Sequence, residues 1–202
     1  MMRYKWKPYL QYGQRKLKRR GETLYSQGQK GKGFFYLAKG KVSIRLLSED
    51  GKERIIDYVL EGYLFGEQGV SSDPYSTTAI ADTDVTLCHF TNEALMNVCR
   101  ENPEAKELFI SSLISKVRLL SDTYAMLNKP YEQQMAHFLI RLREKHDSRA
   151  IPITQVALAQ YIGTSRITIY KILQKWIKEN MIIQKSRMIE VTDLHKLKAL
   201  LD

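Results

Sequence analysis

The stretch Thr154–Asn180, TQVALAQYIGTSRITIYKILQKWIKEN, decides how the rest of the chain is read. Its apolar residues recur at helical spacing in two blocks, separated by Gly163-Thr164-Ser165. Two helices that cross closely need a small residue at the crossing and a residue tolerant of positive φ in the turn. They also need apolar side chains where the second helix lies on the first. Ala159, Gly163 and the set Leu158, Ile162, Ile169, Ile172 and Leu173 meet those needs. Thr154 and Ser165 stand where a hydroxyl can cap each helix. None of these features is rare alone; their joint register specifies a helix-turn-helix.

The second helix, Arg166–Glu179, is then expected to enter the major groove of duplex DNA by its N-terminal end. With Ile169, Ile172 and Leu173 turned inward, Arg166, Ile167, Tyr170 and Lys171 form the edge that meets bases. Arg166 can grip guanine O6 and N7 with two parallel donors, and Lys171 can reach guanine or a phosphate with less geometric discrimination. Ile167 has no hydrogen-bonding group and can meet only a thymine methyl. Thr154 and Ser165 lie where hydroxyls usually touch phosphate, contacts that set register without encoding sequence. Beyond Asn180, the runs Met181–Ile183 and Met188–Val191 flank a polar turn, Gln184–Arg187, and read as a β-wing. Lys185 and Arg187 at its tip are further candidates for phosphate contact. Each of these side chains also has an ordinary reading as part of a solvated face.

Working toward the N-terminus, Tyr131–Lys145 reads as a helix with Met135, Phe138, Leu139 and Leu142 on one side, followed by a loop over 146–152. Asn128-Lys129-Pro130 breaks the helical pattern and serves as a hinge, because proline restricts its predecessor and lacks a donor. Upstream, Ile110, Leu113, Val117, Leu120, Tyr124 and Leu127 alternate in steps of three and four. That heptad seam suits a long helix pairing with a copy of itself as a homodimer. A second stripe, Leu108, Phe109, Ile114 and Leu119, is expected to pack on the chain's own N-terminal domain. The alternative is that one helix lays the whole apolar surface on that domain.

From Glu22 to Asn92 the period changes to short runs bounded by turn residues. The runs are Thr23–Ser26, Phe34–Leu37, Val42–Leu47, Glu53–Leu60, Thr77–Ala81 and Val85–Phe90, and Asp50-Gly51 signals a hairpin. Such spacing argues for an antiparallel barrel or jelly roll. The fold class is therefore α+β: a roll over residues 1–102, a long helix over 103–129 and a winged helix-turn-helix over 130–202.

The formal charge of +10 points toward a polyanionic partner. Residues 131–202 hold 12 Lys and Arg against 7 acids, whereas residues 1–41 hold 12 against Glu22 alone. The densest run, Arg15, Lys16, Lys18, Arg19 and Arg20, reads either as a solvated loop before the first strand or as an auxiliary contact to flanking DNA or an acidic protein. Two cysteines, Cys88 and Cys99, make no disulfide framework. No apolar run reaches the roughly 18 residues that a membrane span needs, and MMRYKWKPYLQYG lacks the apolar core of a signal peptide. A reducing cytoplasm is the expected location, without membrane association.

Across Gly21–Val191 the chain resembles the Crp/Fnr family of bacterial transcription regulators. Gly21-Glu22-x-Leu24, Gly28, Phe35-Tyr36-Leu37, Lys39-Gly40-Lys41-Val42, Asp50-Gly51-Lys52-Glu53, Gly62 and Phe65-Gly66-Glu67 follow the order of its roll. Pro130-Tyr131 and Met135-Ala136-x-Phe138-Leu139 match its hinge and the helix after it. Leu158-Ala159, Gly163, Ser165-Arg166, Thr168-Ile169 and Lys171-Ile172-Leu173 match its DNA reader. The resemblance implies a dimer on a two-fold-symmetric operator, an effector domain in the roll, and RNA polymerase as a partner. It places an effector pocket at Phe65, Gly66, Glu67, Tyr75, Ser76, Leu119 and Leu120.

Three departures qualify it. Tyr75-Ser76 stands where the cyclic-nucleotide sensors of the family carry Arg-Ser, so the charge-assisted phosphate anchor is missing. Leu119-Leu120 falls where a Thr-Ser pair meets the base. Cyclic AMP is therefore not the expected effector, and Glu67 is expected to serve a backbone turn instead. Ile167 replaces the Glu that reads cytosine in the TGTGA-type half-site, so the neighbouring pair is expected to be A·T. Four thiolates for an iron–sulfur cluster are absent, so none is expected. Cys88-His89 leaves a haem open, with one of the two inside the roll.

Other classes fit less well. A cupin-type enzyme needs two or three histidines plus a carboxylate on facing strands, and the roll holds only His89. A protein-interaction module, or a regulator set by abundance with no effector, are the two remaining alternatives.

Overall fold

The computed structural model describes residues 3–49, 51–146 and 148–201. They fall into two compact units, residues 1–120 and 121–202.

In the first unit a 3-10 helix, Lys7–Tyr12, precedes β1 (Gln14–Lys18), β2 (Thr23–Tyr25), β3 (Phe34–Lys39), β4 (Lys41–Leu47), β5 (Glu53–Leu60), β6 (Leu64–Phe65), β7 (Thr78–Ala81) and β8 (Val85–Phe90). Helix α1 (Asn92–Glu101) and the long α2 (Pro103–Met126) follow. Two antiparallel four-stranded sheets form the roll, in the orders β1-β8-β3-β6 and β2-β7-β4-β5. The β4–β5 hairpin pairs Leu47 with Glu53. Gly51 in its turn has φ of 79°, and Asp50 lies outside the described residues.

The apolar run Phe34–Leu37 is continuous because its sheet is buried on both faces. Phe35 and Leu37 point into the roll with Tyr25, Val42, Val59, Phe65, Tyr75 and Leu87. Phe34 and Tyr36 point the other way, into a second cluster with Trp6, Tyr9, Phe90 and Val98. Within it the Trp6 ring meets Phe34 at 5.4 Å and Phe90 at 5.8 Å, both edge-on. Gly33 lets the start of β3 approach the end of β8 closely: a Cβ there would lie 1.9 Å from the Phe90 carbonyl oxygen, and its φ of 108° suits glycine.

Two readings need correction here. The basic segment is not a loop: Gln14–Lys18 is a strand, paired along its length with β8. On α2, Leu108 and Phe109 pack on the second cluster as expected, but Ile114 is 47% exposed and joins the outward apolar face. That face also carries Ile110, Leu113, Val117, Leu120 and Tyr124, all exposed, as is Leu127 just beyond the helix.

In the second unit, α3 (Tyr131–His146) is followed by β9 (Ala150–Pro152), α4 (Gln155–Ile162), α5 (Arg166–Lys178), β10 (Ile182–Lys185), β11 (Met188–Val191) and α6 (Leu194–Ala199). The loop expected over 146–152 thus contains a strand, which completes a sheet of order β10-β11-β9. Met135, Phe138, Leu139, Ile169, Leu173 and Trp176 are fully buried. Phe138 stacks on Tyr161 at 3.5 Å, and the Arg141 guanidinium donates to the Tyr161 hydroxyl at 3.2 Å. Among the described residues, no helix is long and apolar enough to cross a membrane.

Candidate nucleic-acid interface and effector region

Capping and the turn set the angle of the reader helices. The Thr154 hydroxyl accepts from Ala157 N at 3.2 Å and the Ser165 hydroxyl from Thr168 N at 3.1 Å. Each cap contributes roughly 1 kcal/mol. Between the helices Gly163 takes φ 76° and ψ 38°, and its N–H and that of Thr164 both return to the Ala159 carbonyl, at 2.8 and 3.1 Å. This left-handed C-cap reverses the chain in three residues.

On α5, Ile169, Leu173 and Trp176 are completely buried and Ile172 is half-buried. The opposite edge is open: Arg166 and Lys171 are exposed, as are Ile167 at 68% and Tyr170 at 51%. A second anchor comes from α3. Glu132 accepts from the Trp176 indole Nε1 at 2.8 Å and from the Lys175 ammonium at 2.8 and 3.0 Å. The hydrogen bond from Lys175 to Glu132 holds the ammonium above its ordinary pKa, hence charged.

The wing pairs Lys185 with Met188, leaving Ser186-Arg187 as its turn, with Ser186 at φ 50°. Gln184 and Lys185 therefore belong to the strand, not to the turn read from the sequence. Thr154, Arg166, Arg187, Gln155, Gln184 and Ser186 line one open groove of about 370 Å³ between reader and wing. Lys185 is exposed but lies outside it. The sequence did not single out Gln155 or Gln184, whose side chains meet at 3.5 Å. Amides at the first helical position and in the wing strand were the signals available. Because the Thr154 hydroxyl accepts from backbone, its proton is left to donate outward, as a phosphate requires.

The effector region is arranged differently from the sequence expectation. Phe65 is fully buried in the roll core. Glu67 is 4% exposed and bonds to side chains of α2, not to a backbone turn. Its Oε1 accepts from the Ser112 hydroxyl at 2.6 Å and from the Lys116 ammonium, and that ammonium also donates to the Leu64 carbonyl at 3.1 Å. Tyr75 is 2% exposed, stacks on Tyr25 at 4.0 Å and donates its hydroxyl proton to the Gly33 carbonyl at 2.8 Å. Burial raises its pKa, so the phenol stays protonated. Ser76 is exposed and donates to Gln68 at 2.6 Å. Leu119 is half-buried and Leu120 is 56% exposed. The residues of this set thus range from fully buried to exposed.

Cys88 and His89 face opposite sides of β8. His89 sits over Phe35 at 4.8 Å, while Cys88 lies in the other cluster. Among the described residues no group of three His, Cys, Asp or Glu could hold a metal ion.

Residues 15–102 match the cyclic nucleotide-binding domain, and residues 133–200 match the Crp-like helix-turn-helix domain. The chain is 25% identical over 178 residues to the cAMP-activated global transcriptional regulator CRP of Salmonella typhimurium, covering 84% of this chain and 85% of that protein. It is 22% identical to the fumarate and nitrate reduction regulatory protein of the same organism, covering 90% and 76%. In fold it is similar to FixK2 from Bradyrhizobium japonicum, with a TM-score of 0.83 at 16% identity over 93% of this chain and 96% of that one. The chain belongs to the Crp/Fnr family of transcription regulators and carries that family's helix-turn-helix DNA-binding domain.

Proposed function

We propose that a homodimer of this chain binds a two-fold-symmetric operator, with α5 of each protomer in a major groove one helical turn from the other. Arg166, Ile167, Tyr170 and Lys171 face the bases. Thr154, Ser165, Lys185 and Arg187 face phosphates, and the Gln155 and Gln184 amides in the groove between them are further contacts. The single observation that supports this most is the split on α5: Arg166, Ile167, Tyr170 and Lys171 open to solvent, Ile169, Leu173 and Trp176 closed. The exposed apolar face of α2 supports pairing with a second copy.

The regulator works without catalysis, in the cytoplasm, with RNA polymerase as its downstream partner. It does not respond to cyclic AMP: the carboxylate that would meet a ribose is occupied by Ser112 and Lys116, and Tyr75 stands in place of the phosphate-binding arginine. A regulator set by its own abundance is favoured by the same Glu67 contacts.

The test is fluorescence anisotropy on genomic fragments recovered by selection. Binding should weaken steeply with salt, and R166A/K171A should abolish sequence preference in a chain that still folds. Unchanged affinity and preference would remove the DNA-reading assignment.

A further inference from the structure

A cavity between the free edges of the two roll sheets has no part in the function above. β1 is the edge of one sheet and β2 the edge of the other. The register sets Lys16 opposite Leu87 and Lys18 opposite Val85. Directly opposed residues share a face, so both lysines lean toward the roll interior, where Leu87 and Val85 lie. The resulting cavity holds about 230 Å³. Lys16, Lys18, Lys32 and His89 supply its basic groups, and Tyr25, Phe35 and Tyr75 its buried aromatic wall.

The charge there is one-sided. Among the described residues no carboxylate lines the cavity. Lys18 is offset by Glu22 at 3.0 Å, an exposed pair, whereas Lys16 and Lys32 have no carboxylate partner among the described residues. Lys16 instead lies 3.4 Å from His89 Nδ1. His89 Nε2 is 2.8 Å from the Lys32 carbonyl, which can only accept, so the ring proton sits on Nε2 and Nδ1 offers its lone pair to the ammonium. The imidazole is therefore neutral, and burial first, then Lys16, hold its pKa below the usual range.

We propose that this cavity binds a small organic dianion with a planar apolar body, its charges held by Lys16 and Lys32 and its body against Tyr25, Phe35 and Tyr75. Ammonium groups gathered without an acid favour a multiply charged anion. The stacked rings of Tyr25 and Tyr75, 4.0 Å apart at 16°, offer an apolar surface that inorganic phosphate cannot use. The volume is below the roughly 300–1,000 Å³ of drug-sized sites, which selects a one-ring molecule. Gly66, Glu67, Ser76, Leu119 and Leu120 do not line it, and the proposal is independent of how the chain reads DNA.

The probe is isophthalate, titrated into the full chain by calorimetry at low ionic strength, with isophthalamide as its uncharged counterpart. Saturable binding of one isophthalate per chain and none of isophthalamide is expected. K16Q/K32Q should weaken it about tenfold or more, the loss that follows removal of charge-assisted hydrogen bonds. Lys16 and Lys32 are exposed, so the variant should keep the parent's circular dichroism and urea midpoint. K30Q/K39Q, with the same charge change outside the cavity, should bind as the parent does. No binding to the parent, equal binding to K16Q/K32Q, or an equal loss in K30Q/K39Q each overturns the site.

Discussion

The Ser112 hydroxyl donates to Glu67 Oε1 at 2.6 Å, and this bond ties the long helix to the turn after β6. Lys116 adds an ammonium to the same oxygen while Glu67 itself is 1% exposed in its side chain. A carboxylate so enclosed depends on its partners, because removing one leaves it desolvated and less satisfied. K116M is expected to lower the urea-unfolding free energy by about 1–3 kcal/mol, whereas S112A, which leaves the ammonium, should cost less. Millimolar cyclic AMP should shift neither the melting temperature nor DNA affinity of the parent. A cyclic-AMP-dependent rise in either would mean that the nucleotide displaces Lys116 from Glu67.

The second anchor lies in the DNA-binding unit, where Trp176 is fully buried and its indole N–H donates to Glu132. E132A strands the indole N–H, so a loss of about 1–3 kcal/mol is expected. E132Q keeps an acceptor and should recover most of it. Urea unfolding followed by tryptophan fluorescence separates the two variants. Equal losses would mean that charge on Lys175, not the indole bond, carries the contact.

The reader, the hinge helix and six roll strands were legible in the sequence because local signals and tertiary packing agree there. Glu53–Leu60 and Val85–Phe90 are apolar-rich runs bounded by turn residues, and Ser165 caps where the apolar register begins. Gln14–Lys18 was not legible, because a strand of one leucine among four polar residues is held by pairing with β8 and by nothing in its own pattern. Ala150–Pro152 is similar, three residues that become a strand only against β11. Asn92–Glu101 could have been found: Thr91 caps it through Ala94 N and Glu93 lies in its first turn. The Glu67 contacts were beyond sequence reasoning, since Ser112 and Lys116 are forty-five and forty-nine positions away.

Specificity at one position should follow Ile167, which is 68% exposed beside Arg166. A methyl-reading side chain selects A·T next to the guanine held by Arg166. I167E is expected to move that pair toward C·G, by about 1–3 kcal/mol of discrimination, in a selection from random duplexes. K185A and R187A should instead weaken all duplexes alike and each lower the salt slope by about one. A selection on the parent chain that returned an intact TGTGA half-site would count against the Ile167 reading.

Dimerisation should depend on the outward face of α2. Leu120 is 56% exposed and Tyr124 78%, and a seam of this kind tolerates no paired acids at its centre. L120E is expected to shift the chain from dimer to monomer in sedimentation velocity, and to weaken operator binding while leaving the roll folded. A monomeric parent, or a dimeric L120E, would move the interface elsewhere.

Acid should destabilise both units, and the direction follows from two histidines. Burial, then Lys16, lowers the His89 pKa, with the Lys32 backbone bond opposing and the Lys32 charge assisting. Burial, then Arg141, lowers that of His137, against Asp122 and Glu144. Each is therefore neutral in the folded chain at pH values where the unfolded chain, with an ordinary pKa of about 6.5, already takes up a proton. The stability they contribute is complete above that value and is lost as pH falls through it toward the depressed folded pKa. Urea midpoints measured from pH 8 to 5 should be flat at first and then decline. H89Q should flatten the decline in the roll and H137Q that in the DNA-binding unit, because glutamine takes no proton. A decline that survives both substitutions would assign the acid sensitivity to carboxylates instead.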